Sequence, residues 1–268
     1  MSGQRTDEEY KNRDDEISAE FFRLLLKPKE LEEKYFDLYN VFSRSESFDL
    51  DTSDFFTSFC KGVIYDLGLF NVTKNTAKAI EYYQKNPNCF YSLHKLGLME
   101  KDIQKKKEYY KKCVKSNPTF YQAYNNLAIL YHEEKNASMA IQYYNLALKH
   151  FPSSDEKTKT QHKEMIIYNL ALVYSDILHD YSFAVKLYKE VLTIDGEHYE
   201  AIYNLAWVYL NAISVRNLET CKYYLFQAME INRVYDKRDK QVKLLFEDYK
   251  NAIQDLQNEI YGIEQRYY

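Results

Sequence analysis

The sequence predicts an all-α chain built as an array of helical hairpins, an α-solenoid, on three observations. Glycine and proline are scarce: 6 Gly and 4 Pro in 268 residues, against a usual usage of about 7% and 5%, leave little material for strand-connecting turns or nucleotide-cradling glycine loops. Apolar residues recur at helical spacing, large alternating with small, so that two antiparallel helices can approach closely. The pattern itself recurs, as Tyr124–Ala128, Tyr168–Ala171 and Tyr203–Ala206, at a period somewhat above about 34 residues.

The elements follow in chain order. Residues 1–16, MSGQRTDEEYKNRDDE, are expected to be a disordered acidic tail. Residues 17–50 hold a helical pair: Phe21, Leu24 and Leu25 on one stretch, Leu31, Tyr35, Leu38 and Phe42 on the next, with Pro28 at a helix start. The array spans 53–235. Its first hairpin is marked by Gly62, Tyr65, Gly68, Ala79 and Tyr83, and a shortened second one by Leu93, Leu96, Gly97, Tyr110, Cys113 and Pro118.

The best-formed unit sets Tyr124, Leu127, Ala128 and Tyr131 on a first helix and Ala140, Tyr144 and Ala147 on a second, ended by Pro152. The next sets Ile167, Leu170, Ala171 and Tyr174 against Ala184, Tyr188 and Val191, with one extra residue around Leu178–Asp180. The last sets Ile202, Leu205, Ala206 and Tyr209 against Cys221, Leu225 and Ala228, with about three extra around Asn211–Asn217. Both insertions predict longer inter-helix turns. The polar run SSDEKTKTQHKEM, with Ser153 and Glu156 at capping-box spacing, extends the following first helix by about 13 Å, its end either a contact or a solvated extension. Residues 236–268, with Val242, Leu245, Tyr249, Ile253, Leu256, Ile260 and Ile263 on one face, predict a long helix that caps the array.

Residues 121–154 fill the slots of the tetratricopeptide (TPR) family: large, Leu, small and Tyr on the first helix, then Ala, aromatic, Ala and Pro on the second. The chain resembles that family over roughly 53–233. The stretch KGVIYDLGLFNVTKNTAKAIEYYQK resembles the related Sel-one-like repeat. The resemblance implies a right-handed α-solenoid of about five antiparallel hairpins, and a non-enzymatic adaptor or scaffold that holds a partner segment in a concave groove.

Composition narrows the function classes. A formal charge of −4 gives no global field favouring nucleic acid. No apolar run approaches the ~20 residues that cross a bilayer, and no secretory pattern opens the chain, so membrane insertion is not expected and a cytoplasmic location is. Cys60, Cys89, Cys113 and Cys221 lie far apart without CxxC or histidine at metal spacing, and read as reduced thiols. Asn71-Val-Thr73 and Asn136-Ala-Ser138 read as turn residues that happen to match the glycosylation pattern. No phosphate loop, HExxH, EF-hand loop or GxSxG occurs, so no cofactor, metal or catalytic residue is expected; His132-Glu133 is the nearest approach to an acid–base pair. Seven lysines in 101–115 read as the solvated face of a second helix, or as a surface for an acidic partner.

A second stripe on the first helices, displaced from the packing slots, carries the functional expectation. It runs Phe56, Phe59, Val63; Tyr91, His94, Leu98; Gln122, Asn125, Ile129 with His132; Met165, Tyr168, Leu172; and Tyr203, Trp207, Leu210. The TPR resemblance makes this face the lining of the groove, so Phe59, Tyr91, His94, Gln122, Asn125, Ile129, His132, Tyr168, Leu172, Tyr203 and Trp207 are the candidate partner-binding residues. Tyr168, Tyr203 and Trp207 are the expected anchors. The occupant is a peptide or helix of a partner protein, or the chain's own terminal helices; in the second case the protein is a structural subunit of a larger complex, held by its convex surface and terminal helices.

Overall fold

The computed structural model describes residues 55–68, 72–152, 157–234 and 240–267. Every regular element among them is helical, as expected. The acidic tail, the helical pair at 17–50, Phe56 as a side chain, and the capping-box pair Ser153 and Glu156 lie outside the described residues. The chain divides into two compact units between Pro118 and Thr119.

The first unit contains α1 (Phe55–Leu67), α2 (Thr76–Gln84), α3 (Phe90–Met99) and α4 (Ile103–Ser116). Consecutive helices pack in series. Asn75 and Asp102 cap α2 and α4 by accepting from the backbone N–H of Lys78 and Lys105, each satisfying a donor that the helix start leaves orphaned. Glycine takes the small slot of both first helices because tyrosine lies directly over it. A Cβ on Gly62 would stand 2.5 Å from the Tyr83 ring, and one on Gly97 would collide with Tyr110. Phe59, Tyr83, Leu93, Leu96, Tyr110 and Cys113 are buried. Of the seven lysines of 101–115, Lys107 is buried and Lys106 half-buried; the others are exposed, as a solvated face requires.

The second unit contains α5 (Tyr121–Glu133), α6 (Ala137–Lys149), α7 (Lys157–Leu172) running into a π-helical turn (Val173–Ile177), α8 (Tyr181–Ile194), α9 (Tyr199–Asn211), a 3₁₀ turn (Ile213–Val215), α10 (Leu218–Val234) and α11 (Lys240–Tyr267). The pairs α5–α6, α7–α8 and α9–α10 are hairpins, and each packs on the next. Leu127, Ala128, Ala140, Tyr144, Ala147, Leu170, Ala171, Ala184 and Tyr188 are buried, the slots predicted from spacing. The long helix α11 lays Val242, Leu245 and Tyr249 over Ile202, Ala206, Cys221 and Leu225, and so caps the last hairpin.

One turn expectation is corrected. The α9–α10 connection is longer, holding the 3₁₀ turn and an exposed Ile213. The α7–α8 connection is not. It contains Leu178, His179 and Asp180, matching Glu134, Lys135 and Asn136 in the preceding hairpin. Lys135 and His179 both take positive φ, 59° and 54°, and Asn136 and Asp180 both cap the helix that follows. The extra residue is taken up in the helix: Leu178 N–H bonds the Val173 carbonyl, five residues back, where Glu134 N–H bonds Leu130, four back.

Candidate functional site

The stripe divides by burial. In the first unit Phe59, Tyr91 and His94 are all buried. His94 packs against Tyr110 at 5.9 Å between ring centroids, and burial, with Lys95 behind it, lowers its pKa to about 3, so it is a neutral core residue. In the second unit Asn125 is buried; Gln122, Ile129, His132, Tyr168, Leu172 and Tyr203 are half-buried; Trp207 is 38% exposed. His132 is held low chiefly by its burial.

The accessible part of the stripe contains a cleft of about 200 Å³ lined by Ser175, Asp176, Tyr203, Asn204, Trp207 and Val208. Two elements build it. The middle of α9 supplies Tyr203, Asn204 and Trp207, and the π turn supplies Ser175 and Asp176. Tyr181, at the start of α8, stands 6.3 Å from the Trp207 ring.

Asn204 fixes the cleft floor. Its amide nitrogen donates to the hydroxyls of Tyr168, at 3.1 Å, and Tyr188, at 3.3 Å, tying α9 to the hairpin before it. Burial raises the pKa of Tyr168 to about 12, and that of the more deeply buried Tyr188 further, so both hydroxyls stay neutral. Ser175 also lies against the Tyr188 hydroxyl. The remaining polar atom of the Asn204 amide is its carbonyl oxygen, an acceptor.

The polar extension of α7 is anchored on both sides. His162 Nδ1 lies 2.9 Å from the Tyr121 hydroxyl of α5. Glu164 lies 3.2 Å from His198 Nε2 at the N-terminus of α9. The Ala201 N–H donates to His198 Nδ1, which leaves Nε2 facing Glu164, and the Glu200 carboxylate lies 3.4 Å from Nδ1. Burial, then the carboxylates of Asp195 and Glu200, push the Glu164 pKa up to about 7. Tyr168 lies over His198 at 4.9 Å, linking this pair to Asn204.

Sequence reasoning named Tyr203, Trp207 and Tyr168 and missed Ser175, Asp176, Asn204 and Val208. The extra residue in that repeat was the available signal. Among the described residues no group of His, Cys, Asp and Glu is arranged to hold a metal ion, and no helix is long and apolar enough to cross a membrane. Cys113 and Cys221 are buried and Cys89 partly buried, all three unoxidised; burial raises the first two to about 12 and about 11.

Comparison with known proteins agrees with this architecture. A family model described as a tetratricopeptide repeat matches residues 109–142. The chain is 22% identical over 190 residues to protein O-mannosyl-transferase Tmtc3 of Drosophila melanogaster, covering 64% of this chain and 19% of that protein, so it spans about a fifth of that relative's length. Among solved structures, the MamA protein superposes with a TM-score of 0.52 at 20% identity, covering 68% of this chain and 94% of that one. The APC/C hetero-tetramer Cut9–Hcn1 gives a TM-score of 0.54 at 15% identity, covering 88% and 46%. At these identities the structural likeness establishes the fold, and the tetratricopeptide-repeat model covers residues 109–142 of it.

Proposed function

We propose that the chain is a non-enzymatic adaptor or scaffold, and that its second unit holds a segment of a partner protein against the first helices α5, α7 and α9. The observation that carries this reading is the cleft at Trp207. A large aromatic ring stands 38% exposed on a helix whose other large apolar residues are mostly buried, beside a concavity with polar groups converging on it. Tyr203 and Trp207 are the proposed anchors, and Gln122, Ile129, His132, Tyr168 and Leu172 the proposed continuation. Phe59, Tyr91, His94 and Asn125 take the supporting role that their burial suits. A cytoplasmic location fits this reading.

The test is partner capture from the native source by wild type and by the Tyr203→Ala, Trp207→Ala double variant, with far-UV circular dichroism to verify folding. Loss of specific partners by a folded double variant supports the cleft. Equal capture removes it from the mechanism.

The second reading, a structural subunit of a larger complex, draws on a different surface. Tyr223 at 59%, Phe226 at 50% and Leu244 at 65% exposure present apolar groups on α10 and α11. Tyr223→Ser with Leu244→Ser separates the two: loss of partners there, with the cleft variant unaffected, favours the subunit reading. The first hairpin is proposed as a Sel-one-like variant, for which the Gly62–Tyr83 contact is the support.

A further inference from the structure

We infer that the cleft receives an arginine side chain of the docked partner, so that the partner segment is basic; this rests on the protein-binding reading above and names the chemistry of the occupant. The first argument is the wall. Trp207 and Tyr203 offer aromatic faces, and a cation over an indole ring is attracted by its quadrupole. The second is the polar inventory. Asp176 supplies a carboxylate and Asn204 a carbonyl oxygen, because the Asn204 nitrogen is committed to Tyr168 and Tyr188. The cleft is thus rich in acceptors, and a guanidinium brings five donors and no acceptor.

The third argument is charge complementarity. The C-terminal parts of the three first helices and the turns after two of them, 128–136, 169–180 and 206–211, carry Glu133, Glu134, Asp176 and Asp180 against Lys135 alone. Asp176 sits in the last turn of its helix, where the helix dipole favours a cation. The volume of about 200 Å³ suits one long side chain. Arginine is favoured over lysine because its planar, weakly hydrated group can stack on Trp207 while its fork reaches Asp176.

Trp207 is the single tryptophan of the chain, so its emission reports the cleft directly. The probe is the peptide acetyl-Ala-Leu-Arg-Leu-Ala-amide, titrated beside its citrulline, lysine and glutamate counterparts into the full chain. The arginine peptide should give a saturable change in emission that weakens with added salt. Citrulline in the peptide, or Asp176→Asn in the protein, should weaken binding by about tenfold, with Asp176→Glu recovering part of the loss. Asp176 is exposed, so these variants should keep the wild-type circular dichroism. Equal binding of the arginine and citrulline peptides, tighter binding of the glutamate peptide, or no saturable change with the arginine peptide up to about 10 mM, where even a Kd of about 1 mM would saturate, would each overturn the inference. The docking reading is judged separately, by partner capture with the Tyr203→Ala, Trp207→Ala variant.

Discussion

Hairpins α5–α6 and α7–α8 close with matching three-residue turns, yet Asn136 follows Ala128 by eight positions and Asp180 follows Ala171 by nine. The turn is held by three conditions at once: a left-handed residue, an Asn or Asp cap, and a backbone bond from that cap to the first helix, Asn136 to Tyr131 and Asp180 to Tyr174, each 2.9 Å. Lengthening it would lose all three, whereas a π turn only shifts hydrogen bonds by one residue. The helix therefore yields. An inserted residue turns the side chains after it by about 100°, and where the first hairpin has His132 the second has room for both Ser175 and Asp176. Ser175 and Asp176 reach the cleft for this reason.

Four measurements break or sharpen the comparison. The largest effect is expected for the two tyrosines that fill equivalent core slots: Tyr144→Ala and Tyr188→Ala should each cost about 3–5 kcal/mol in urea denaturation. Tyr188→Ala should cost more, since it also strips Asn204 of a partner; the reverse order would mean that the network contributes nothing.

Next comes acid. In the first unit the stripe slot matching Asn125 is His94, and its folded pKa of about 3 lies below the ordinary 6.5. Between those values the unfolded chain binds the extra proton, so the stability His94 contributes is complete above about pH 6.5 and is lost as pH falls. The loss should reach about 2–3 kcal/mol by pH 4.5. His94→Gln should flatten that limb of the stability profile, and an unchanged acid limb would show that His94 titrates normally. Asn125 cannot titrate, so hairpin α5–α6 has no counterpart.

The caps follow. Asn136→Ala and Asp180→Ala should each cost about 1 kcal/mol, and unequal values would break the equivalence of the two turns. The smallest effect separates the tyrosines again. The Tyr144 hydroxyl is buried with no hydrogen-bond partner among the described residues, so Tyr144→Phe should be neutral or slightly stabilising. Tyr188→Phe should cost about 1 kcal/mol, because Asn204 loses an acceptor.

The hairpins were legible in the sequence because small and large residues at helical spacing leave few other ways to bury their faces. Ala128, Tyr144, Ala171 and Tyr188 all lie where spacing put them. The capping role of α11 was legible too, from the regular run of Val242, Leu245 and Tyr249. The π turn was not. An extra residue shows in the count, but whether turn or helix absorbs it depends on bonds from Asp180 to Tyr174 and His179 to Ser175 that spacing cannot weigh. The stripe was legible as a face, while its burial was not: His94 and Trp207 both belong to it, yet one is in the core and the other stands open. Asn204 escaped notice because its partners, Tyr168 and Tyr188, lie 36 and 16 positions away.

The glycines under Tyr83 and Tyr110 have a genetic consequence. Gly97→Ala adds one methyl group, yet the ring it meets is buried and cannot swing aside, so the first unit would have to spread. Such an allele is expected to be conditional, the crowded protein persisting at low temperature and failing at high. Gly62→Ala is its twin one hairpin earlier. A strain carrying either would lose the first unit on a temperature shift while every cleft residue stayed wild type.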